Sequence, residues 1–269
     1  MDRKRYFEGI EQYRLLAKHE VGQNFLIDDE VAERIVSSLD VKPEDKVIEI
    51  GSGAGSLTYF LNETGALVDA IDIDEALVAK LQKEFDGNTR PLYGNGAKWD
   101  YAPYTKIIGN LPYYITSSLI ERAILKGINA SKMVFMVQKE AGERLLSAVG
   151  SKDYGPLPIL IALLFNTKRA FTVRRDCFVP APHIDSCVLT FDRKRESEEL
   201  IEKTYRLSQS LFLQRRKTIF NNLRGMLHDE EKAKNALEKA GIDEKKRPEQ
   251  VTPEQYFALA QAIYDNKTC

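Results

Sequence analysis

Ile107-Ile-Gly-Asn-Leu-Pro-Tyr-Tyr-Ile-Thr116 is the stretch on which the reading of the whole chain turns. Two apolar residues and Gly109 close a short buried strand, and Asn110, Leu111, Pro112, Tyr113 and Tyr114 lead away from it. Pro112 has no backbone N–H to donate, and it pushes Leu111 towards an extended conformation. A rigid, non-helical tip at the strand's carboxyl end follows, which is where open α/β sheets bind ligands. The tip offers an amide side chain at Asn110, a carbonyl at Leu111 and an aromatic face. That set suits a flat molecule bearing an NH2 group, adenine above all. Taken alone, the stretch fits a plain strand–turn–helix corner equally well.

Outward from this tip the chain alternates. Strands are expected over 46–50, 67–72, 91–93, 106–109 and 132–138, with helices over 29–39, from near Ser56, and over 75–85, 116–125 and 139–147. Strands alternating with helices of this length mean βαβ units and a mostly parallel sheet. Residues 168–173 and 186–191 alternate polar and apolar, which suggests an antiparallel hairpin at the edge. After Arg193 only helices are expected, over 196–225, 230–240 and 253–264, so a domain boundary falls near Asp192. The chain thus reads as an α/β domain over 1–192, with a polar arm or peripheral helix over 1–20, and a small helical domain over 193–269.

The second informative stretch is Gly51-Ser-Gly-Ala-Gly55 between a strand and a helix. Its glycines permit a tight turn and close approach of a ligand to the backbone. Position 56 is Ser, so the loop is G-x-G-x-G and not the dinucleotide pattern G-x-G-x-x-G. Preceded by the acid Glu49, that form is more typical of S-adenosylmethionine sites. Asp72 ends the next strand, 21 residues after Gly51, where a carboxylate accepts both ribose hydroxyls. Gly94-Asn-Gly96 follows the third strand. Asn95 there fits either an adenine-reading amide or an ordinary Asn-Gly turn.

Composition bounds what the molecule can be. The 269 residues are 43% hydrophobic and 29% charged, the balance of a soluble globular protein. Net charge is −1, so any nucleic-acid site must be a local basic patch. The cysteines, Cys177, Cys187 and Cys269, form no CxxC and no cluster with histidine, which points to a reducing cytoplasm without structural zinc. His19 and His183 have no partners at metal spacing. The longest apolar run, 159–165, falls far short of the roughly 20 residues of a membrane helix. The charged amino terminus precedes no apolar signal segment.

Taken together, these motifs resemble the rRNA adenine N6,N6-dimethyltransferases, the KsgA family of class I S-adenosylmethionine-dependent methyltransferases. The resemblance rests on Gly22-Gln-Asn-Phe-Leu26, Ile48-Glu-Ile-Gly-Ser-Gly-Ala-Gly55, Asn110-Leu-Pro-Tyr113, Phe178-Val-Pro-Ala-Pro-His-Ile-Asp-Ser186 and Gln214-Arg-Arg-Lys-Thr218, and spans essentially the whole chain. It implies a Rossmann-like seven-stranded sheet, mostly parallel with an antiparallel edge strand. It places Gln23 and Asn24 over the methionine end of S-adenosylmethionine, Gly51 and Gly53 beside it, and Asp72 on its ribose. Leu26, Ile73, Asn95 and Asn110 complete the implied cofactor set. Asn95 stands where the family usually has Asp, and Tyr114 where it often has Asn or Gln. The implied partners are small-subunit rRNA and the immature small ribosomal subunit, met by a cytoplasmic monomer.

The chemistry follows from the residue types. An exocyclic adenine amine is a poor nucleophile, because its lone pair is delocalised into the ring. Asn110 and the Leu111 carbonyl can each accept one N–H bond, which favours a pyramidal nitrogen aimed at the methyl group; orientation and dipoles are the main contributions. Tyr113 and Phe178 are the expected stacking faces. Arg215, Arg216, Lys217 and Arg224 form an acid-free basic run suited to RNA phosphates, with Lys168, Arg169, Arg174 and Arg175 as a second group. A solvated helix face is the plain alternative for the first run. The rival functions are an adenine methyltransferase acting on large-subunit rRNA or DNA, an assembly or transcription factor that has lost catalysis, and a nicotinamide-dependent dehydrogenase, which Ser56 disfavours.

Overall fold

The computed structural model describes residues 23–196 and 199–264. The arm over 1–20 and Gly22 lie outside them. Seven strands form one sheet: β2 (Lys46–Ile50), β3 (Leu67–Asp72), β4 (Thr89–Tyr93), β5 (Lys106–Asn110), β6 (Lys132–Gln138), β7 (Phe165–Val173) and β9 (Ser186–Arg193), in the order β4-β3-β2-β5-β6-β9-β7. The pairs β3/β4, β2/β3, β2/β5 and β5/β6 are parallel, and β6/β9 is antiparallel. The winding direction reverses between β2 and β5. The crevice beyond the carboxyl ends of those two strands is therefore the switch point at which such sheets bind ligands. A separate two-residue ladder joins β1 (Phe25–Leu26) to β8 (Phe178–Val179), antiparallel, with Leu26 opposite Phe178.

Local chemistry explains the elements. Helix α1 (Asp29–Leu39) is capped by Asp28, whose carboxylate accepts from the Val31 N–H at 3.1 Å, and it buries Ala32, Ile35, Val36 and Leu39 at helical spacing. β6 is buried from Met133 to Val137, as expected of a central strand covered on both faces. β9 is buried from Ser186 to Phe191, including Ser186 and Thr190. The expected outward-facing alternation there is absent because β9 lies inside β7, which forms the edge. At Gly109 an added Cβ would lie 2.6 Å from the Ile50 carbonyl oxygen, so only glycine lets β5 approach β2 this closely. The helices α2 (Thr58–Asn62), α3 (Glu75–Glu84), α4 (Thr116–Lys126) and α5 (Lys139–Leu145) complete the alternation.

The division into units differs from the linear one read from the sequence. One compact unit comprises the described residues up to Gly142 together with Thr167–Arg193; the other comprises Glu143–Asn166 and the described residues from Lys194 onward. Residues 143–166, expected in the first domain, thus cluster with the tail. They contain a helix not expected at all, α6 (Pro156–Leu164), whose prolines sit in its first turn, where missing donors cost nothing. It packs against α7 (Glu199–Phe212) and α10 (Pro253–Tyr264). Phe212 lies 6.2 Å, centroid to centroid, from both Tyr154 and Tyr256 in the core of this unit.

The single helix expected over 196–225 is two, α7 and α8 (Ile219–Leu227), followed by α9 (Glu230–Lys239). Thr218 caps α8 by accepting from the Asn221 N–H at 3.2 Å. Gln214-Arg-Arg-Lys-Thr218 is therefore a turn and cap, not a helix face. Among the described residues, no helix is long and apolar enough to cross a membrane, and no group of three His, Cys, Asp or Glu is placed to hold a metal ion.

Candidate active site

Gly51 and Gly53 adopt left-handed backbone angles (φ 75° and 53°), which let the loop after β2 fold back over β3. The N–H groups of Gly51 and Ser52 donate to the Ile71 carbonyl at 2.9 and 3.0 Å. The Asp72 carboxylate closes the corner: Oδ2 accepts from the Gly53 N–H at 2.8 Å and Oδ1 from the Asp74 N–H at 2.9 Å. Burial pushes the Asp72 carboxyl up, and the two N–H donors pull the other way. Glu49, only 1% exposed on β2, accepts from Thr58 Oγ1 at 2.6 Å. Burial raises its carboxyl to about 8, against the Thr58 hydrogen bond and with a smaller push from Asp72. At neutral pH Glu49 is therefore mostly protonated.

The tip after β5 is held from two sides. The Leu111 N–H donates to the Met136 carbonyl at 3.0 Å, extending the sheet one residue past Asn110. Asn110 Nδ2 donates to the Asn24 carbonyl at 3.4 Å, which leaves Oδ1 as an acceptor. The Leu111 carbonyl takes no hydrogen bond among the described residues. Pro112 then turns the chain into a short 3-10 turn over Tyr113–Ile115. Tyr113 is half-buried, with its hydroxyl 3.1 Å from Ser186 Oγ, and burial pushes its phenol up.

These pieces enclose a cavity of ≈ 320 Å³, the size of a small-molecule site. All nine expected cofactor residues line it: Gln23, Asn24, Leu26, Gly51, Gly53, Asp72, Ile73, Asn95 and Asn110, joined by Leu111 and Tyr113. Asn95 Oδ1 accepts from the Ala97 N–H at 2.9 Å, so this residue both makes the turn and faces the cavity. The lining contains Glu49 and Asp72 but no Lys, Arg or His, so no side chain there would repel a cationic ligand. Phe178 does not line the cavity. It is 2% exposed and packs in the core with Leu26, Ile35, Val36 and Val188. Sequence reasoning missed Ser186 as the partner of Tyr113, and it missed Phe25, whose ring would lie 3.4 Å from a Cβ at Gly53. Both residues belong to motifs already singled out; only the pairing was hidden.

The basic run divides into three kinds of residue. Arg215 turns inward within its own unit, donating to the carbonyls of Lys152 at 2.6 Å and Ser151 at 3.0 Å, with Glu249 3.4 Å away. Arg224 pairs with Glu230 at 3.6 Å and lies over the Phe220 ring. Arg216 and Lys217 are exposed and have no ion pair among the described residues. In the first unit Lys168 and Arg169 are exposed on β7, whereas Arg174 is bonded to Asp176.

A mostly parallel sheet with its switch point between β2 and β5, a glycine loop stitched to Asp72, and an amide-bearing tip beside it define a class I methyltransferase. The sequence model for ribosomal RNA adenine dimethylase matches residues 14–265, and the chain belongs to that family. It is 34% identical over 269 residues to the ribosomal RNA small subunit methyltransferase A of Clostridium botulinum (strain Loch Maree / Type A3), covering 96% of this chain and 98% of the relative. The ribosomal RNA small subunit methyltransferase A of Myxococcus xanthus is 35% identical over 264 residues, covering 94% and 93%. Among solved structures, a dimethyladenosine transferase from Plasmodium falciparum aligns with a TM-score of 0.74 at 25% identity, over 87% of this chain and 95% of that one.

Proposed function

We propose that the chain transfers methyl groups from S-adenosylmethionine to the exocyclic amines of two adjacent adenosines near the 3′ end of small-subunit rRNA. The product is N6,N6-dimethyladenosine, made during ribosome biogenesis by a cytoplasmic monomer acting on the immature small subunit. The observation that carries this reading is the fixed amide of Asn110. With Nδ2 committed to the Asn24 carbonyl, Oδ1 and the Leu111 carbonyl are two acceptors one residue apart, matched to the two hydrogens of an amine.

The lining fits the cofactor. Asp72 is assigned to the ribose hydroxyls, Gln23, Asn24 and Leu26 to the methionine end, and Ile73 with Asn95 to the adenine. With no Lys, Arg or His in the lining, nothing there repels a sulfonium. When bound, S-adenosylmethionine supplies an electrophilic methyl group. Asn110 and Leu111 hold the amine, Tyr113 offers a face to the base, and the turn at Pro112 keeps these three in register. Their contribution is orientation and fixed dipoles, with no cationic side chain in the lining and no general base required. Phe178, on β8, is assigned core packing. Arg216 and Lys217 are assigned to RNA phosphates, and Arg215 to holding its own turn.

The test is methyl transfer from labelled cofactor to undermethylated small subunits, naked rRNA and DNA, followed by nucleoside analysis. Label in N6,N6-dimethyladenosine of small-subunit rRNA is expected. Label confined to large-subunit rRNA or DNA, or its absence from all, overturns the reading.

A further inference from the structure

Two neighbouring tyrosines leave the tip in different surroundings. Tyr113 is half-buried and tied to Ser186, whereas Tyr114 is 63% exposed. Both line the cavity. Successive residues of a 3-10 turn point about 120° apart, so Tyr114 cannot share the face that Tyr113 presents. Among the described residues, no hydrogen bond, ring contact or charge engages Tyr114. The turn that carries it is nonetheless firm. The Ile115 N–H donates to the Pro112 carbonyl at 3.3 Å, and Thr116 Oγ1 donates to the same oxygen at 3.0 Å. A large aromatic ring is thus held in solvent at the rim of the cavity, three residues beyond the carbonyl of Leu111. Ile73, 56% exposed and also in the lining, is the other large apolar side chain left open there.

We propose that Tyr114 is the stacking platform for the nucleotide next to the target adenosine. The inference rests on the function proposed above and deepens it. An adenosine whose amine reaches Asn110 and Leu111 leaves its covalently attached neighbour at the cavity rim. The substrate class has a second adenine at that position. An exposed ring with no partner among the described residues has a π-face to give to a base, and stacking of this kind tolerates any base. Tyr114 then steadies the neighbouring nucleotide while the target adenosine is in the pocket. It is a positioning residue that touches the substrate without touching the reacting nitrogen.

The experiment compares the full chain with Tyr114→Ala and Tyr114→Phe in two measurements. The first is fluorescence of a hairpin RNA carrying 2-aminopurine beside an adenosine, which reads stacking without catalysis. Quenching by the parent chain and Tyr114→Phe, and its loss in Tyr114→Ala, is expected. The second is methylation of undermethylated small subunits with each adenosine quantified. Tyr114→Ala should bind S-adenosylmethionine within about twofold of the parent, raise KM for RNA roughly tenfold, and accumulate subunits modified at one adenosine of the two. Equal quenching and equal KM in Tyr114→Ala overturn the proposal, as does a Tyr114→Phe variant as defective as Tyr114→Ala. A change on intact subunits without a change in quenching would assign Tyr114 to a protein contact and also overturn it. Failure of the parent chain to methylate any RNA would instead sink the function on which the inference rests.

Discussion

The side-chain amide of Asn110 donates to the backbone carbonyl of Asn24, 86 residues earlier in the chain, at 3.4 Å. This bond decides which way the amide faces, and so which atom meets an incoming amine. Asn110→Ala should lower methyl transfer by about a hundredfold or more, the usual cost of losing one oriented dipole. It should leave the fold intact, since Leu111 still bonds to Met136. Labelled transfer together with circular dichroism checks both halves; undiminished dimethyladenosine would remove Asn110 from the chemistry.

Glu49 makes stability depend on pH. Its folded value, about 8, lies above the ordinary 4.5, so the folded chain binds that proton more tightly than the unfolded chain does. The contribution is complete below about pH 4.5 and is lost as pH rises towards 8, on the order of 5 kcal/mol in all. Glu49→Gln keeps an acceptor for Thr58 and removes the titration. Melting temperatures from pH 6 to 9 should fall less steeply for the variant, and parallel slopes would show that Glu49 does not titrate there.

The three consecutive cations of the basic turn should separate in experiment. Arg215→Ala breaks bonds to the Lys152 and Ser151 carbonyls and should cost about 1–2 kcal/mol, read as a lower melting temperature. Arg216→Ala and Lys217→Ala should leave melting unchanged while each reduces the salt slope of RNA binding by about one. A stability loss in the last two, or none in the first, would reverse the assignment.

Gly109→Ala tests the close approach of β5 to β2. The added Cβ meets the Ile50 carbonyl at 2.6 Å and Leu111 Cδ2 at 2.9 Å, so one strand must shift. A loss of about 1–3 kcal/mol in a urea titration is expected, with activity falling further because the tip moves with the strand. A neutral substitution would mean that the sheet yields more easily than its packing suggests.

What was legible in the sequence was whatever local pattern determines. Strands β2, β3 and β6 and helix α1 begin and end at the expected residues, because apolar runs, Asp28 and the flanking turns mark them locally. The glycine loop, Asp72 and the Asn110 tip were legible for the same reason. Helix α6 was not, because a segment apolar all round has no period to read. The break between α7 and α8 carries no Gly or Pro; it is made by the Thr218 cap and by carbonyls at residues 151–152 that reach Arg215. The ladder of β1 with β8 joins residues about 150 positions apart and is too short to leave a propensity signal. The same long-range pairing takes Phe178 into the core, away from the cavity its motif suggested.

The discontinuous division of the chain has a topological consequence. The polypeptide passes between units three times, after Gly142, after Asn166 and after Arg193. A single cut at the last crossing would not release a self-sufficient catalytic body. It would leave α6 behind, with Ile159, Leu160, Leu163 and Leu164 stripped of the α7 and α10 surfaces that cover them. The helical tail is therefore no detachable module, and neither unit can be gained, lost or exchanged as a single contiguous piece.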